Sequence, residues 1–290
     1  MPPPSPRAEI RRARPLLGTL VEIGAAAAMP APALHAAVDA AFAAVERVEG
    51  LMSFHDPASQ VSALNRDAHR QALRVDAQTY AVLQAAQNLS RRSDGAFDIT
   101  VGARLQRWGY LPSSPPPVDG AADWRDIELA GDGLVWFRRA LRIDLGGIAK
   151  GYAVDCAIAA LRCAGAESGV VNAGGDLRTF GPRAQTVSLR HPQDPARLAQ
   201  QIVLGDAALA SSASYYSRRR RGNEELSALL DPRSGQPYLE RAAVSVRAAD
   251  CLSADALTKV VLFAPAALSE QVLAAYGACA YVQTAAPVAA

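Results

Sequence analysis

Residues 143–155 read IDLGGIAKGYAVD, and the fold turns on how that stretch divides. Leu141 to Leu145 carries strand signals, Gly146 and Gly147 stop it, and from about Ala149 to Ala164 apolar residues return at helical spacing. A strand that passes through a glycine pair into a helix aims the first N–H groups of that helix at the turn, where they favour an anion. Lys150 sits in this first turn, where a cation opposes the helix dipole, so a phosphate partner explains it better than a structural role.

Downstream, Gly169 to Val171 reads as a strand leading into Asn172-Ala173-Gly174-Gly175-Asp176, a turn that ends in a carboxylate. Short strands follow at Thr186 to Leu189, Gln201 to Leu204 and Ala243 to Val246, then a helix from near Ser253 and another from about Ala266 to Tyr276. Upstream, LLGTLVEI at 16–23 reads as a strand and Gly133 to Phe137 as another. Ala33 to Met52 is an amphipathic helix, with Leu34, Val38, Phe42, Val45, Val48 and Leu51 on its apolar face. A further helix runs from Ala77 to Arg92 and is stopped by Ser93-Asp94-Gly95. Pro112 to Asp119, with three prolines at its centre, marks a loop or an internal seam near 112–120. Strands and helices mix without a regular βαβ rhythm, so the class is α+β rather than doubly wound α/β.

The 290 residues are long enough for a full hydrophobic core, and with 50% hydrophobic and 20% charged residues they do not describe a disordered chain. A net charge of +2 gives no electrostatic footprint for nucleic acid or an anionic membrane. Arg218 to Arg221 is read as a solvated loop balanced by Glu224 and Glu225. Of the 30 basic residues only Lys150 and Lys259 are lysine, which marks both for their chemistry. No segment reaches ~18 uncharged apolar residues, and the Pro- and Arg-rich start is not a secretory signal. The chain as written is therefore expected in the cytoplasm, with a periplasmic or membrane-associated place if a leader has been removed. Cys156, Cys163, Cys251 and Cys279 form no CxxC and have no neighbouring histidine, so structural thiols are expected, with Cys156 and Cys163 buried on one helix face. None of His35, His55, His69 and His191 has a metal-ligand spacing, and each is read as surface or core.

Three segments hold more glycine and acid than a structural element needs: SDGAFDITVG at 93–102, the 143–152 turn, and 172–176. No GxxxxGK[ST] or GxGxxG is present, so neither a P-loop nor a Rossmann dinucleotide site is supported. Set in order with LGTLVEI at 17–23, MSFHDPASQVSALN at 52–65, DPRSGQP at 231–237 and SADALTK at 253–259, these segments resemble the ApbE family of FAD:protein FMN transferases. The resemblance covers about Arg14 to Leu262. It implies a T-fold-like α+β architecture with mixed or antiparallel sheets flanked by helices, and FAD bound between sheet and helices. It leaves 1–13 as a flexible N-terminal segment before one domain at 14–290.

The activity implied is transfer of the FMN half of FAD to a threonine or serine hydroxyl of a target flavoprotein, with release of AMP and assistance from magnesium. Carried over residue by residue, Leu17, Phe54, Ala96, Phe97, Asp98, Asp144, Lys150 and Leu230 would contact FAD. Gly147, through its carbonyl, and Asp255 would hold the metal, with Thr258 as the nearby hydroxyl, while Asp255 and Lys150 would serve catalysis. Two positions depart from the pattern. The family's metal-binding threonine, four residues after this aspartate, is Lys259 here, and Thr258 comes one residue early, about 100° away around a helix. A lysine there neutralises Asp255 or stands in for the cation. The histidine usual three residues before Asp231 is Ala228. If that histidine assists proton transfer, about 10²–10⁴-fold in rate is at stake. An FAD pyrophosphatase, or a catalytically silent FAD-binding accessory protein, uses the same motifs and stays open on the residues alone.

Overall fold

The computed structural model describes residues 8–116, 118, 121–192, 197–215, 217–240 and 242–284. Strands β1 (Ala8–Leu16) and β2 (Thr19–Ala27) open the chain as a hairpin, followed by helix α1 (Ala31–Met52). A smaller lobe then holds α2 (Gln60–Asp67), β3 (Leu73–Arg74), α3 (Ala77–Arg92), α4 (Gly102–Arg107), β4 (Ile127–Ala130) and β5 (Leu134–Phe137). Helix α5 (Ala149–Cys163) returns to the main sheet through β6 (Ser168–Ala173) and β7 (Asp176–Phe180). Next come β8 (Gln185–Arg190), β9 (Leu198–Leu204), β10 (Ala207–Ala213), β11 (Arg219–Arg221), β12 (Glu224–Leu226) and β13 (Ala242–Ala248). Helices α6 (Cys251–Phe263) and α7 (Ala266–Ala275) and strand β14 (Cys279–Thr284) complete it.

The main sheet has the order β1-β2-β6-β7-β10-β13-β14, and every pairing in it is antiparallel. The α+β reading holds, with the sheets antiparallel rather than mixed among the described residues. Helices α1, α5 and α6 lie side by side over one face, α1 above β1 and β2, α5 above β6 and β7, and α6 above β10 and β13. Alternation along the strands makes this layer: Ala208, Ala210, Val244 and Val246 belong to the core under the helices, while Leu177 and Leu209 pack on the opposite face with Leu189, Ile202 and Leu204. Among the described residues no helix is long and apolar enough to cross a membrane.

Several local expectations are corrected. The stretch 16–23 is not one strand: Leu17 and Gly18 form a two-residue turn with φ of 56° and 68°, and Leu16 pairs with Thr19. Of the N-terminal segment expected to be flexible, residues 1–7 lie outside the described residues and Ala8 to Ala13 belong to β1. That strand is held to α1 by Arg12 and Arg14, which meet Asp39 at 2.9 and 2.7 Å, and Arg14 lies over the Phe42 ring. Leu141 to Leu145 joins no ladder. Its backbone is instead held by Asn65, whose side chain exchanges two bonds with Ile143 (2.9 and 2.7 Å), and by Asp144 N–H donating to Ile99 O at 2.7 Å. The prolines near 112–120 do not divide the core, since a single apolar cluster contains both Val82 of the smaller lobe and Val21 of the main sheet; Pro117, Asp119 and Gly120 lie outside the described residues. Arg219 to Arg221 is a strand, not a loop, facing Glu224 and Glu225 across a hairpin. Cys163, at the last turn of α5, is exposed and so is Cys279; only Cys251 is buried.

The contact that places the helices is between α5 and the start of α6. Asp155 accepts the N–H groups of Cys251 (2.9 Å) and Leu252 (2.8 Å), so one helix caps the next. Gly151 makes the approach possible: a Cβ there would lie 2.1 Å from the Cys251 carbonyl oxygen and 2.9 Å from Leu252 N. Both are backbone atoms, which cannot swing aside. Gly151→Ala is expected to lower stability by about 3 kcal/mol, the upper range for overpacking, in urea unfolding. A loss well under ~1 kcal/mol would show that the two helices separate freely.

Candidate active site

A cavity of about 1170 Å³ opens where the β1–β2 and β6–β7 hairpin tips meet the ends of α1, α5 and α6. Leu17, Phe54, Ala96, Phe97, Asp98, Asp144, Gly147, Lys150 and Leu230 all line it, from widely separated stretches of the chain. The strained turn contributes its wall directly: Leu17 keeps a positive φ, and its N–H donates to Glu49 Oε1 at 3.0 Å. Phe54 and Phe97 are nearly buried and present aromatic surface, and Leu230 is held by a bridge to Pro237. Ser211 and Ser245, joined at 2.7 Å, line the sheet side.

The cavity floor is ionic. Lys150 Nζ bonds Asp176 Oδ2 and lies 3.3 Å from Asp255 Oδ2, which also accepts the Gly151 N–H at 3.3 Å. Lys259 Nζ bonds Asp255 Oδ1 and donates to the Asp255 carbonyl oxygen at 3.0 Å. Burial works against charge throughout, but the outcome differs by partner. For Lys150, burial is outweighed by Asp176 and Asp255, which hold the ammonium well above the ordinary lysine range. Asp255 is likewise penalised by burial, yet its two lysines hold it below the usual carboxylate range. Asp176 is pushed up by burial and by the charge of Asp255. Burial also raises Asp144, against the Gly146 N–H and the nearby His55, Lys150 and Lys259.

These positions bear on the magnesium site that the resemblance implies. Asp255 is 1% exposed, both its carboxylate oxygens are taken by ammonium or N–H donors, and it does not line the cavity. Thr258, expected as the hydroxyl ligand, faces elsewhere: it is fully buried, with its Oγ1 donating to Asp255 O at 2.6 Å and bonded to Ser212 at 2.7 Å. The one-residue shift has rotated it into the sheet, and Lys259 occupies the face it left. Lys259 Cε lies 3.3 Å from where a Cβ on Gly147 would sit, so this side chain fills the space between Gly147 and Asp255. A divalent ion there would meet ammonium repulsion of about 4 kcal/mol per unit of its charge at ~4 Å. No group of three or more His, Cys, Asp or Glu suited to a metal exists among the described residues. The donor set does not fit magnesium.

Some site residues were not expected from the sequence. Asp176, buried beneath the cavity, was visible only as a carboxylate after a glycine pair, without its partner. His55 and Arg190 line the cavity, and neither carries a spacing signal that would have singled it out. Ala228 lines it too, and its methyl group offers nothing to a proton.

The same chain regions are shared with known proteins. Residues 17–282 match the profile of the ApbE family. A Vibrio cholerae protein named FAD:protein FMN transferase is 30% identical over 229 residues, 73% of this chain and 69% of that one. A Treponema pallidum protein of the same name is 27% identical over 278 residues, covering 86% and 77%. The crystal structure of the ApbE protein from Thermotoga maritima superposes with a TM-score of 0.84 at 26% identity, covering 95% of this chain and 94% of that one.

Asp98 gives the site a pH signature. Burial raises its carboxyl from 3.8 to about 6, opposed by N–H bonds from Thr100 (2.8 Å) and Trp124 (3.1 Å). Between those values the folded protein binds more protons than the unfolded chain, so stability falls as pH rises through the window and the penalty is complete above it. Relative to Asp98→Asn, the wild type is expected to lose up to about 3 kcal/mol between pH ~4 and ~6. Chemical unfolding of both proteins across that range measures the difference; parallel curves would refute the assignment.

Proposed function

The chain belongs to the ApbE family, and from that premise we propose that it binds FAD in the cavity and transfers the FMN moiety to a threonine or serine hydroxyl of a target flavoprotein. What carries this reading is the convergence of Leu17, Phe54, Ala96, Phe97, Asp98, Asp144, Lys150 and Leu230 on one cavity wide enough for a dinucleotide. The aromatic wall of Phe54 and Phe97 suits a flat ring system, and the ionic floor suits the pyrophosphate between the two nucleotide halves.

The acceptor oxygen attacks the phosphorus on the riboflavin side, a phosphoester bond forms, and the P–O bond to AMP breaks with its electron pair staying on the AMP phosphate. The acceptor proton passes to that departing phosphate, a monoester base with pKa about 6, which answers the methyl group of Ala228 where a histidine base is usual. Lys150, with Asp176 and Asp255 keeping it charged, donates to phosphate oxygens and stabilises the charge that builds as the bond loosens. No magnesium ion is assigned to Asp255 in this scheme, because its oxygens are already engaged.

Incubation of the protein with FAD and a flavoprotein acceptor, read by mass spectrometry, is expected to add the mass of FMN less water to the acceptor and to release AMP. Lys150→Ala should lower kcat/KM by about 100-fold or more. AMP and free FMN without an adduct would convert the reading to a pyrophosphatase with water as acceptor, and FAD bound but intact would leave an accessory flavin-binding protein.

A further inference from the structure

The two lysines of the chain meet at one carboxylate, yet they are used differently. Lys150 bridges two acids, Asp176 and Asp255. Among the described residues, Lys259 hydrogen-bonds Asp255 alone, through Oδ1 and the backbone carbonyl. An ammonium has three donors. Two are spent on one residue, and among the described residues the third has no protein partner, while the side chain lines the cavity at 13% exposure. The i,i+4 spacing brings Lys259 back along its own helix to Asp255. Here its stem fills the space beside Gly147, and its head is pinned at both ends of Asp255.

We propose that the Lys259 ammonium, seated on Asp255 between α6 and the Gly146-Gly147 turn, is this protein's built-in cation for the substrate pyrophosphate, and that the transfer runs without a divalent metal ion. The proposal rests on the flavin-transfer reading above for its substrate, but its exclusion of a divalent ion does not. A covalently tethered cation is present at every turnover and in fixed register with Lys150, so the pyrophosphate meets two ammonium groups on the same floor. The bonds made and broken are those of the transfer already described, and the proton again leaves on AMP. Lys259 adds one N–H donor to a phosphate oxygen and takes no proton. Neutralising Asp255 is the second half of the role. Without Lys259 that buried carboxylate keeps Lys150 and the Gly151 N–H but loses the partner on Oδ1, which then becomes free to ligate an ion.

Manganese(II), followed by the EPR signal of the free ion, tests the site in the protein alone. Wild type is expected to hold none at Asp255, Lys259→Thr to gain one site, and Lys259→Thr/Asp255→Ala to lose it again. A tight site in the wild type that Asp255→Ala abolishes would overturn the proposal. FAD affinity supplies the second measurement. Wild-type binding should be the same in EDTA and in Mg²⁺, and Lys259→Met should weaken it about 100-fold with no recovery in Mg²⁺. Lys259→Thr should weaken it in EDTA and recover in Mg²⁺, while Lys259→Arg, which keeps a cation on Asp255, should stay resistant to EDTA. Thermal unfolding of each variant checks that it is folded. In the transfer assay, wild-type adduct formation that stops in EDTA and returns with Mg²⁺ overturns the proposal. If FAD is bound and manganese behaves as expected but neither adduct nor AMP forms under any condition, the transferase reading fails and the cation assignment stands.

Discussion

A carboxylate shut away from water must be neutralised by the protein itself, and at Asp255 three elements are arranged to do it. Lys150 reaches it from the first turn of α5, Lys259 from one turn further along α6, and the Gly151 N–H from the α5 backbone. Asp176 at the start of β7 shares Lys150 and so ties the β6–β7 hairpin to the same point. Taking one partner from such a set leaves an uncompensated buried charge, at a cost of about 3–5 kcal/mol. The helices therefore cannot slide past one another or away from the hairpin without exposing or orphaning a charge, and the cavity floor inherits that rigidity.

Close backbone approach makes the arrangement reachable. Gly151 allows α5 to touch the first residues of α6, and Asp155, on the following turn, accepts two of the N–H groups that α6 leaves open. The same principle acts at the rim, where the β1–β2 turn holds Leu17 in a left-handed conformation that costs about 1–2 kcal/mol. Glu49 from α1 takes the Leu17 N–H, and Leu17 and Gly18 are left facing the cavity. Stability is thus concentrated beneath the cavity, and strain sits at its edge, where a ligand can use it.

The long helices were legible because their information is periodic and local, whereas α2 and α4, of eight and six residues, are too short to show a period and were not read. In α1 and α3 the apolar face repeats with the helical turn, and Asp76 and Ser93 bracket α3 at its two ends. Strands of the main sheet were harder to read. AALASSA in β10 has small side chains and little strand preference, and it is a strand because β7 and β13 lie on either side. In β1, most of which the resemblance left as a flexible segment, Arg12 and Arg14 are partners of α1 acids far along the chain. Leu141 to Leu145 has the composition of a strand but meets no neighbouring ladder, so Asn65 and Ile99 take up its backbone groups instead. Each of these depends on what lies beside the segment, which its own residues do not state.

The site divides along the same line. From the residues alone came the chemical groups and their local spacing: the glycine pair before Lys150, the motif set shared with the ApbE family, and a lysine one helical turn after Asp255 in place of a hydroxyl. Helical geometry makes such i and i+4 neighbours meet whatever the rest of the chain does. Only the tertiary structure decided that Lys150, 105 residues before Asp255, shares that carboxylate, and that Asp176 joins them. It also decided that Thr258 is turned into Ser212 while Lys259 fills the space beside Gly147. Charge pairing between elements is settled by which faces pack together and by the cost of leaving a buried ion alone, and neither quantity belongs to any one stretch of sequence.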